Sequence, residues 1–232
     1  MENLIKDAIA RIYERIEAAC QRAGRSREEI TLVAVSKTMP PEVIKQAYDA
    51  GLRVFGENRP QELRDKARLL PEDIQWHFIG HLQTNKIKYV APRAVLIHSV
   101  DSLRLAEALD QFAEKRSLTI PVLLEVNVSG ESSKFGFAPE KTPEAFEKIA
   151  GLKHLHIKGL MTIGPLSDDR QKIRQAFRQL YNLREDLQKT ASGVELPVLS
   201  MGMSGDFEIA IEEGSTHIRI GTAIFGARGR QP

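Results

Sequence analysis

Two short stretches of this chain hold residue types that suit covalent and anion chemistry. Leu32-Val33-Ala34-Val35-Ser36-Lys37 is an apolar run that ends on a lysine. Desolvating an ammonium is costly, and burial shifts a lysine toward the neutral amine, the form that attacks aldehydes. The second stretch is His217-Ile218-Arg219-Ile220-Gly221-Thr222-Ala223-Ile224-Phe225-Gly226, an arginine on another apolar run followed at once by Gly-Thr. A glycine there lets backbone N–H groups come close to an anion, and threonine adds a hydroxyl donor. Together they suit an aldehyde tethered to lysine and carrying a phosphate tail, which is the description of pyridoxal 5'-phosphate (PLP).

Such residues need a scaffold that gathers strand ends. Apolar runs recur at about 31–36, 52–56, 74–79, 94–98, 120–128, 154–163, 196–200 and 217–225, and helical patterns at about 41–50, 60–69, 102–116, 143–151 and 169–190 separate most of them. Shorter helical pieces fit near 84–89 and 206–213. Pro41, Pro60 and Pro143 sit where first-turn prolines are expected, and Asp101 or Ser102 can cap the helix that follows. An amphipathic helix over 3–23 comes first, with Leu4, Ile5, Ala8, Ile9, Ile12, Ile16 and Ala19 on one face and Gly24 as its C-cap. The runs at 31–36, 94–98 and 120–126 are nearly all apolar, the pattern of parallel strands covered on both sides. The expectation is an α/β chain with one domain over 1–232, a (β/α)8 TIM-type barrel with an extra N-terminal helix; a doubly wound open sheet is the alternative.

Barrel active sites lie at the C-terminal strand ends. That rule collects Lys37, Gly56-Glu57-Asn58-Arg59, Gly80-His81-Leu82-Gln83-Thr84-Asn85-Lys86, Met161-Thr162, Ser200-Met201-Gly202-Met203-Ser204-Gly205-Asp206 and Arg219 to Thr222 on one face.

Composition narrows the classes. Lys+Arg 33 against Asp+Glu 31 is near balance, which argues against a nucleic-acid or membrane footprint. The single cysteine, Cys20, forms no intrachain disulfide and reads as a small packing residue on the first helix. The N-terminus lacks a signal-peptide core, and no apolar run approaches the ~20 residues of a membrane span. A cytoplasmic protein is expected. No cluster has metal-ligand spacing, so no metal is expected.

The chain resembles the YggS/PROSC family of pyridoxal-phosphate-binding proteins, also called PLP homeostasis proteins. The match rests on Val33-Ala34-Val35-Ser36-Lys37, Phe55-Gly56-Glu57-Asn58 and Trp76-His77-Phe78-Ile79-Gly80-His81-Leu82-Gln83-Thr84-Asn85-Lys86. It continues through Val126-Asn127, Lys134-Phe135-Gly136-Phe137, Gly159-Leu160-Met161-Thr162, Leu199 to Asp206 and Ile218 to Gly226. The resemblance implies a barrel like the N-terminal domain of alanine racemase, with PLP on Lys37 as a Schiff base. The racemase's second, β-rich domain has no expected counterpart, because the chain ends soon after Phe225.

Each residue also has a plainer reading. Arg219 is expected against the pyridine nitrogen, as the resemblance implies; otherwise it is a structural ion pair with Glu208, Glu212 or Glu213. Ser204, Gly221 and Thr222 are expected on the phosphate, with Met203 and Gly205 contributing backbone N–H groups; otherwise they are turn residues. Asp206 is expected to cap the helix after it. The resemblance implies that Asn58 lies near the ring or its hydroxyl, where otherwise it makes a local turn; Met161 is expected beside the ring, or else as core filler, and Ser200 with the cofactor-binding set. His81, Gln83, Asn85, Lys86 and Lys134 form either a rim for anionic groups or a solvated loop. Ser36 reads as a packing residue and His77 as a hydrogen-bonded core histidine.

Function divides three ways. The first is reversible PLP binding, with buffering or delivery to apo PLP-enzymes and little or no turnover. The second is an amino-acid racemase of low activity, and the third a regulatory protein that senses PLP. Racemisation needs two positioned acid–base groups, yet Tyr13, Tyr48, Tyr89 and Tyr181 all read as helical. No catalytic residue is therefore assigned, and a monomer is expected.

Overall fold

The computed structural model describes residues 2–131, 133–190 and 194–226, so Met1, Ser132, 191–193 and 227–232 of the expected 1–232 domain lie outside the described residues. The elements run α1 Glu2–Ala23, β1 Thr31–Val35, α2 Pro41–Asp49, β2 Val54–Glu57, α3 Pro60–Leu69, β3 Gln75–Phe78, α4 Ile87–Val90 and β4 Ala94–Val100. They continue α5 Leu103–Glu114, β5 Ile120–Glu125, α6 Thr142–Ala150, β6 Leu155–Met161, α7 Arg170–Thr190, β7 Val198–Met203, α8 Phe207–Glu212, β8 His217–Ile220 and α9 Thr222–Phe225. The eight strands are in sequence order in a closed barrel, and β8 pairs parallel with β1. The open-sheet alternative is thereby excluded.

Local signals set the elements as read. Pro41 and Pro60 open α2 and α3, where a missing N–H carries no penalty. Ser102 Oγ accepts from Leu105 N at the start of α5. Gly24 follows α1 at φ +64, the left-handed geometry that glycine tolerates. Period-two alternation then divides the core. Val122 and Leu124 of β5 join the cluster beneath the helices, whereas Leu123 joins Leu96, Met161 and Val198 in a separate cluster inside the barrel. Gly159 lets β6 approach β7: a Cβ there would lie 1.8 Å from the Val198 carbonyl oxygen.

The last element differs from expectation. The apolar run continues to Phe225, but β8 stops at Ile220 and Gly221 starts the short helix α9. Short apolar strands and buried helical turns share one composition, so periodicity does not separate them. On the outer layer, Phe177 of α7 is fully buried. Phe177→Ala is expected to cost about 3–5 kcal/mol through lost burial and the cavity left behind, read as a lower urea midpoint with an unchanged slope.

Candidate functional site

At the C-terminal ends of the strands lies a cavity of about 310 Å³, lined by Val35, Lys37, Asn58, Ile79, Ile163, Met203, Ser204, Gly205, Arg219, Gly221 and Thr222. Residues from β1, β2, β7 and β8, or just beyond them, thus meet at one place although they are far apart in sequence. Lys37 and Arg219 share the cavity with the Ser204-Gly205 and Gly221-Thr222 turns. A Cβ added at Gly205 would meet nothing within 4 Å, so that backbone faces open space. Asn58 Oδ1 is buried without a hydrogen-bond partner. Gly80 is needed for the loop after β3 to cross this residue, since a Cβ there would fall 2.3 Å from the Asn58 carbonyl oxygen. Met161 and Ser200 are not on the lining: Met161 is fully buried in the apolar cluster inside the barrel, and Ser200 is fully buried on β7.

Ser200 instead supports Arg219. The guanidinium donates from Nη1 to Ser200 Oγ at 2.6 Å and from Nη2 to the Thr162 carbonyl at 2.8 Å. Ser200 Oγ lies 2.9 Å from His98 Nδ1, and His98 Nε2 lies 2.8 Å from His77 Nδ1. Because arginine only donates, Ser200 is free to pass its own proton to His98. With Ser200 Oγ–H donating to His98 Nδ1, His98 carries its proton on Nε2 and donates it to His77 Nδ1. His217 stacks on His77 with ring centroids 5.8 Å apart. The helical carboxylates do not pair with Arg219 as the plainer reading allowed: Glu208 bonds Arg15, Glu212 bonds Arg22 and Arg174, and Glu213 bonds Arg174 and Arg178. Burial lowers Arg219 to about 10, opposed by the carboxyls of Glu125 and Asp206, so it stays cationic at neutral pH. Burial raises Glu125 to about 7 and pushes Asp206 upward.

Two local expectations are corrected. The Asp206 side chain does not cap α8; its Oδ1 accepts from Met203 N at 2.6 Å, which closes the 203–206 turn at the cavity edge. Ser36 does more than fill space, because its Oγ donates to Glu57 Oε1 at 2.6 Å. The rim set is divided. His81, Gln83 and Asn85 line a separate groove with Asp101 and Arg104. His81 Nδ1 lies 2.8 Å from Asp101 Oδ2, and its ring stacks on Phe135. Lys86 sits beside the Tyr89 ring, while Lys134 bonds Glu131 and the Gly164 carbonyl. Among the described residues no group of three or more His, Cys, Asp or Glu is placed to hold a metal ion.

The buried histidines set a pH response. Burial holds His77 at about 3 and His217 at about 4, and lowers His98 well below 6.5. An unfolded chain protonates them near 6.5 while the fold keeps them neutral, so acidification from about 6.5 toward about 4 removes stability. Glu125 acts oppositely, because its folded carboxyl keeps a proton up to about 7. Burial also raises Asp206 and Glu57, in the same sense as Glu125. Each fully titrating group contributes ~1.4 kcal/mol per pH unit, and the three histidines, kept neutral through this window, outweigh Glu125, the carboxyl raised to about 7. The urea midpoint is expected to be lower at pH 5 than at pH 7; a higher one contradicts this account of the core.

Comparison with known proteins follows the same lines. The family model described as alanine racemase, N-terminal domain, matches residues 8–229. A protein of Aquifex aeolicus (strain VF5) named pyridoxal phosphate homeostasis protein is 49% identical over 223 residues, which cover 96% of this chain and 97% of that one. One of the same name from Pseudomonas aeruginosa is 45% identical over 228 residues, covering 97% and 96%. The solved structure of PipY from Synechococcus elongatus PCC7942 with PLP bound has a TM-score of 0.81 at 38% identity, covering 93% of this chain and all of that one (100%).

Proposed function

The chain belongs to the alanine racemase N-terminal domain family, and from that premise we propose that it is a PLP-binding homeostasis protein. It holds the cofactor on Lys37 and releases or delivers it, with little or no turnover of amino acids. The observation that carries this reading is the single cavity joining Lys37, Arg219 and the two glycine-bearing turns.

The donor set fits the cofactor. Lys37 supplies an amine for the aldehyde, which bound PLP contributes as its reactive group. Ser204 and Thr222 supply hydroxyls, and the backbone around Met203, Gly205 and Gly221 supplies N–H groups for a phosphate. Asn58, with its buried and unpartnered Oδ1, suits a ring substituent that donates a hydrogen bond. Arg219 faces the pyridine nitrogen, while Met161 and Ser200 act from beneath the lining, Ser200 by orienting Arg219.

The same residues favour binding over catalysis. A guanidinium that stays protonated only donates, which leaves the pyridine nitrogen neutral and the ring a weak electron sink. A second acid–base group is needed for racemisation, and Tyr13, Tyr48, Tyr89 and Tyr181 lie on α1, α2, α4 and α7 rather than at strand ends. Ile163 and Met203 leave the cavity edge exposed, which favours exchange with solution. Among the described residues no helix is long and apolar enough to cross a membrane. A cytoplasmic monomer that hands PLP to apo-enzymes completes the proposal.

The test is an absorbance spectrum of PLP-loaded protein followed by turnover of L- and D-amino acids on the same sample. A covalent imine band without turnover is expected. A kcat in the ordinary range of ~1–10³ s⁻¹ for any amino acid overturns the binding reading in favour of an enzyme.

A further inference from the structure

We propose that Lys66 is a positioning residue that fixes the backbone on both sides of Lys37, through Glu57 and Glu62, and so aims the Lys37 amine at the cofactor aldehyde. This rests on the reading of Lys37 as the residue that carries the cofactor.

Lys66 is a buried lysine on α3, on the face away from solvent beside Leu63. Its ammonium has three donors, and each has an acceptor. Nζ lies 2.9 Å from the Ser36 carbonyl, 2.7 Å from Glu57 Oε1 and 2.7 Å from Glu62 Oε2. The Ser36 carbonyl belongs to the peptide group that enters Lys37. The amide that leaves Lys37, Thr38 N–H, donates to Glu62 Oε2 at 2.7 Å. One ammonium and two carboxylates therefore hold both peptide planes that flank the Lys37 Cα. Ser36 is fixed twice more, by its hydroxyl to Glu57 Oε1 at 2.6 Å and by its N–H to the Gly56 carbonyl at 3.0 Å.

Thr38 shows what this arrangement enforces. It has φ +66, a left-handed conformation unfavourable for a β-branched residue. Such a residue persists where its surroundings over-determine it, and here its amide is held by Glu62. A purely structural ion pair would not need this convergence. Glu57 is fully buried with Oε2 unpartnered, and a buried pair is often no more stable than apolar residues of the same volume. The cluster contacts the turn from α3 and β2, and none of Glu57, Glu62 and Lys66 lines the cavity, so it sets where Lys37 starts from outside the lining.

The step it aids is a condensation. The neutral Lys37 amine bonds the aldehyde carbon, the carbonyl oxygen leaves as water with both amine protons, and a C=N bond remains. Misplacing a reacting atom by about 1 Å can cost ~10²-fold in rate.

The test compares wild type with Lys66→Met, Glu62→Ala and Glu62→Gln. The readouts are the rate of imine formation with PLP and the affinity for 4-deoxypyridoxine 5'-phosphate, which keeps the ring and phosphate but has no aldehyde. Lys66→Met and Glu62→Ala are expected to slow imine formation by at least about tenfold. Binding of the aldehyde-free probe is expected to stay within about threefold, the range of a substitution that touches no contact. Glu62→Gln keeps an acceptor for Thr38 N–H and is expected to recover most of the rate. If Lys66→Met does not fold, the Glu62 pair decides, because Glu62 is partly exposed. An unchanged rate in folded Glu62→Ala overturns the proposal, as does a parallel loss of probe affinity. Failure of the underlying reading looks different: borohydride then fixes the wild-type adduct on a residue other than Lys37, which overturns the proposal with it.

Discussion

Ser204→Ala combined with Thr222→Val is expected to weaken PLP binding by at least ~10²-fold while pyridoxal, which lacks the phosphate, loses little. Hydrogen bonds to a charged group contribute about 1.5–3 kcal/mol each. Both residues line the cavity and neither is buried, so the low end of that range applies. Two such bonds give ~3 kcal/mol, or ~10²-fold in affinity. The turns that bear them leave β7 and β8, the usual position for phosphate in such barrels. Paired equilibrium titrations with PLP and pyridoxal read the effect. Equal losses for the two ligands would show that these hydroxyls are not phosphate contacts.

Arg219→Glu is expected to destabilise the fold by about 3–5 kcal/mol at neutral pH, the cost of breaking a buried charge arrangement by altering one member. The substitution removes the donor to Ser200 Oγ and the Thr162 carbonyl. It also adds a carboxylate beside Glu125 and Asp206, which are already raised by burial. Protonation relieves that repulsion, so the gap between variant and wild type narrows as pH falls from 7, where Glu125 begins to hold its proton, toward 5. Urea unfolding of both proteins across this range checks the sign. A gap that widens on acidification would mean that Glu125 and Asp206 do not face the arginine. If the variant still binds PLP, the proposed placement of Arg219 at the ring nitrogen predicts that losing this donor raises side reactions with amino acids.

What the sequence revealed follows the range of each interaction. Lys37, Ser204, Gly205, Arg219, Gly221 and Thr222 lie at the ends of apolar runs, so barrel geometry alone brings them to one cavity. Their positions depend on local pattern and one topological rule. The support behind Arg219 was not legible, because His77, His98 and Ser200 meet only through long-range pairing across the barrel. Lys66 was missed for a different reason. Glu62 and Lys66 are four residues apart on a helix, the spacing of ordinary solvated pairs, and only the tertiary fold buries the lysine against Ser36 and Glu57. Its proximity to Leu63 on an apolar stripe was the available signal. Asp206 was misread because an acidic residue before a helix also satisfies a turn amide, and Met203 N–H was closer at hand. The boundary between β8 and α9 was hidden because Ala223, Ile224 and Phe225 suit either element.

The central claim is that the cofactor is carried by one particular amine. Borohydride reduction of the PLP-loaded protein, followed by peptide mass mapping, tests it most directly. The account predicts one stoichiometric pyridoxyl adduct on Lys37, absent from Lys37→Ala, with Lys66, Lys86 and Lys134 unmodified. A principal adduct on any of those other lysines, or an imine band that survives in Lys37→Ala, would contradict it.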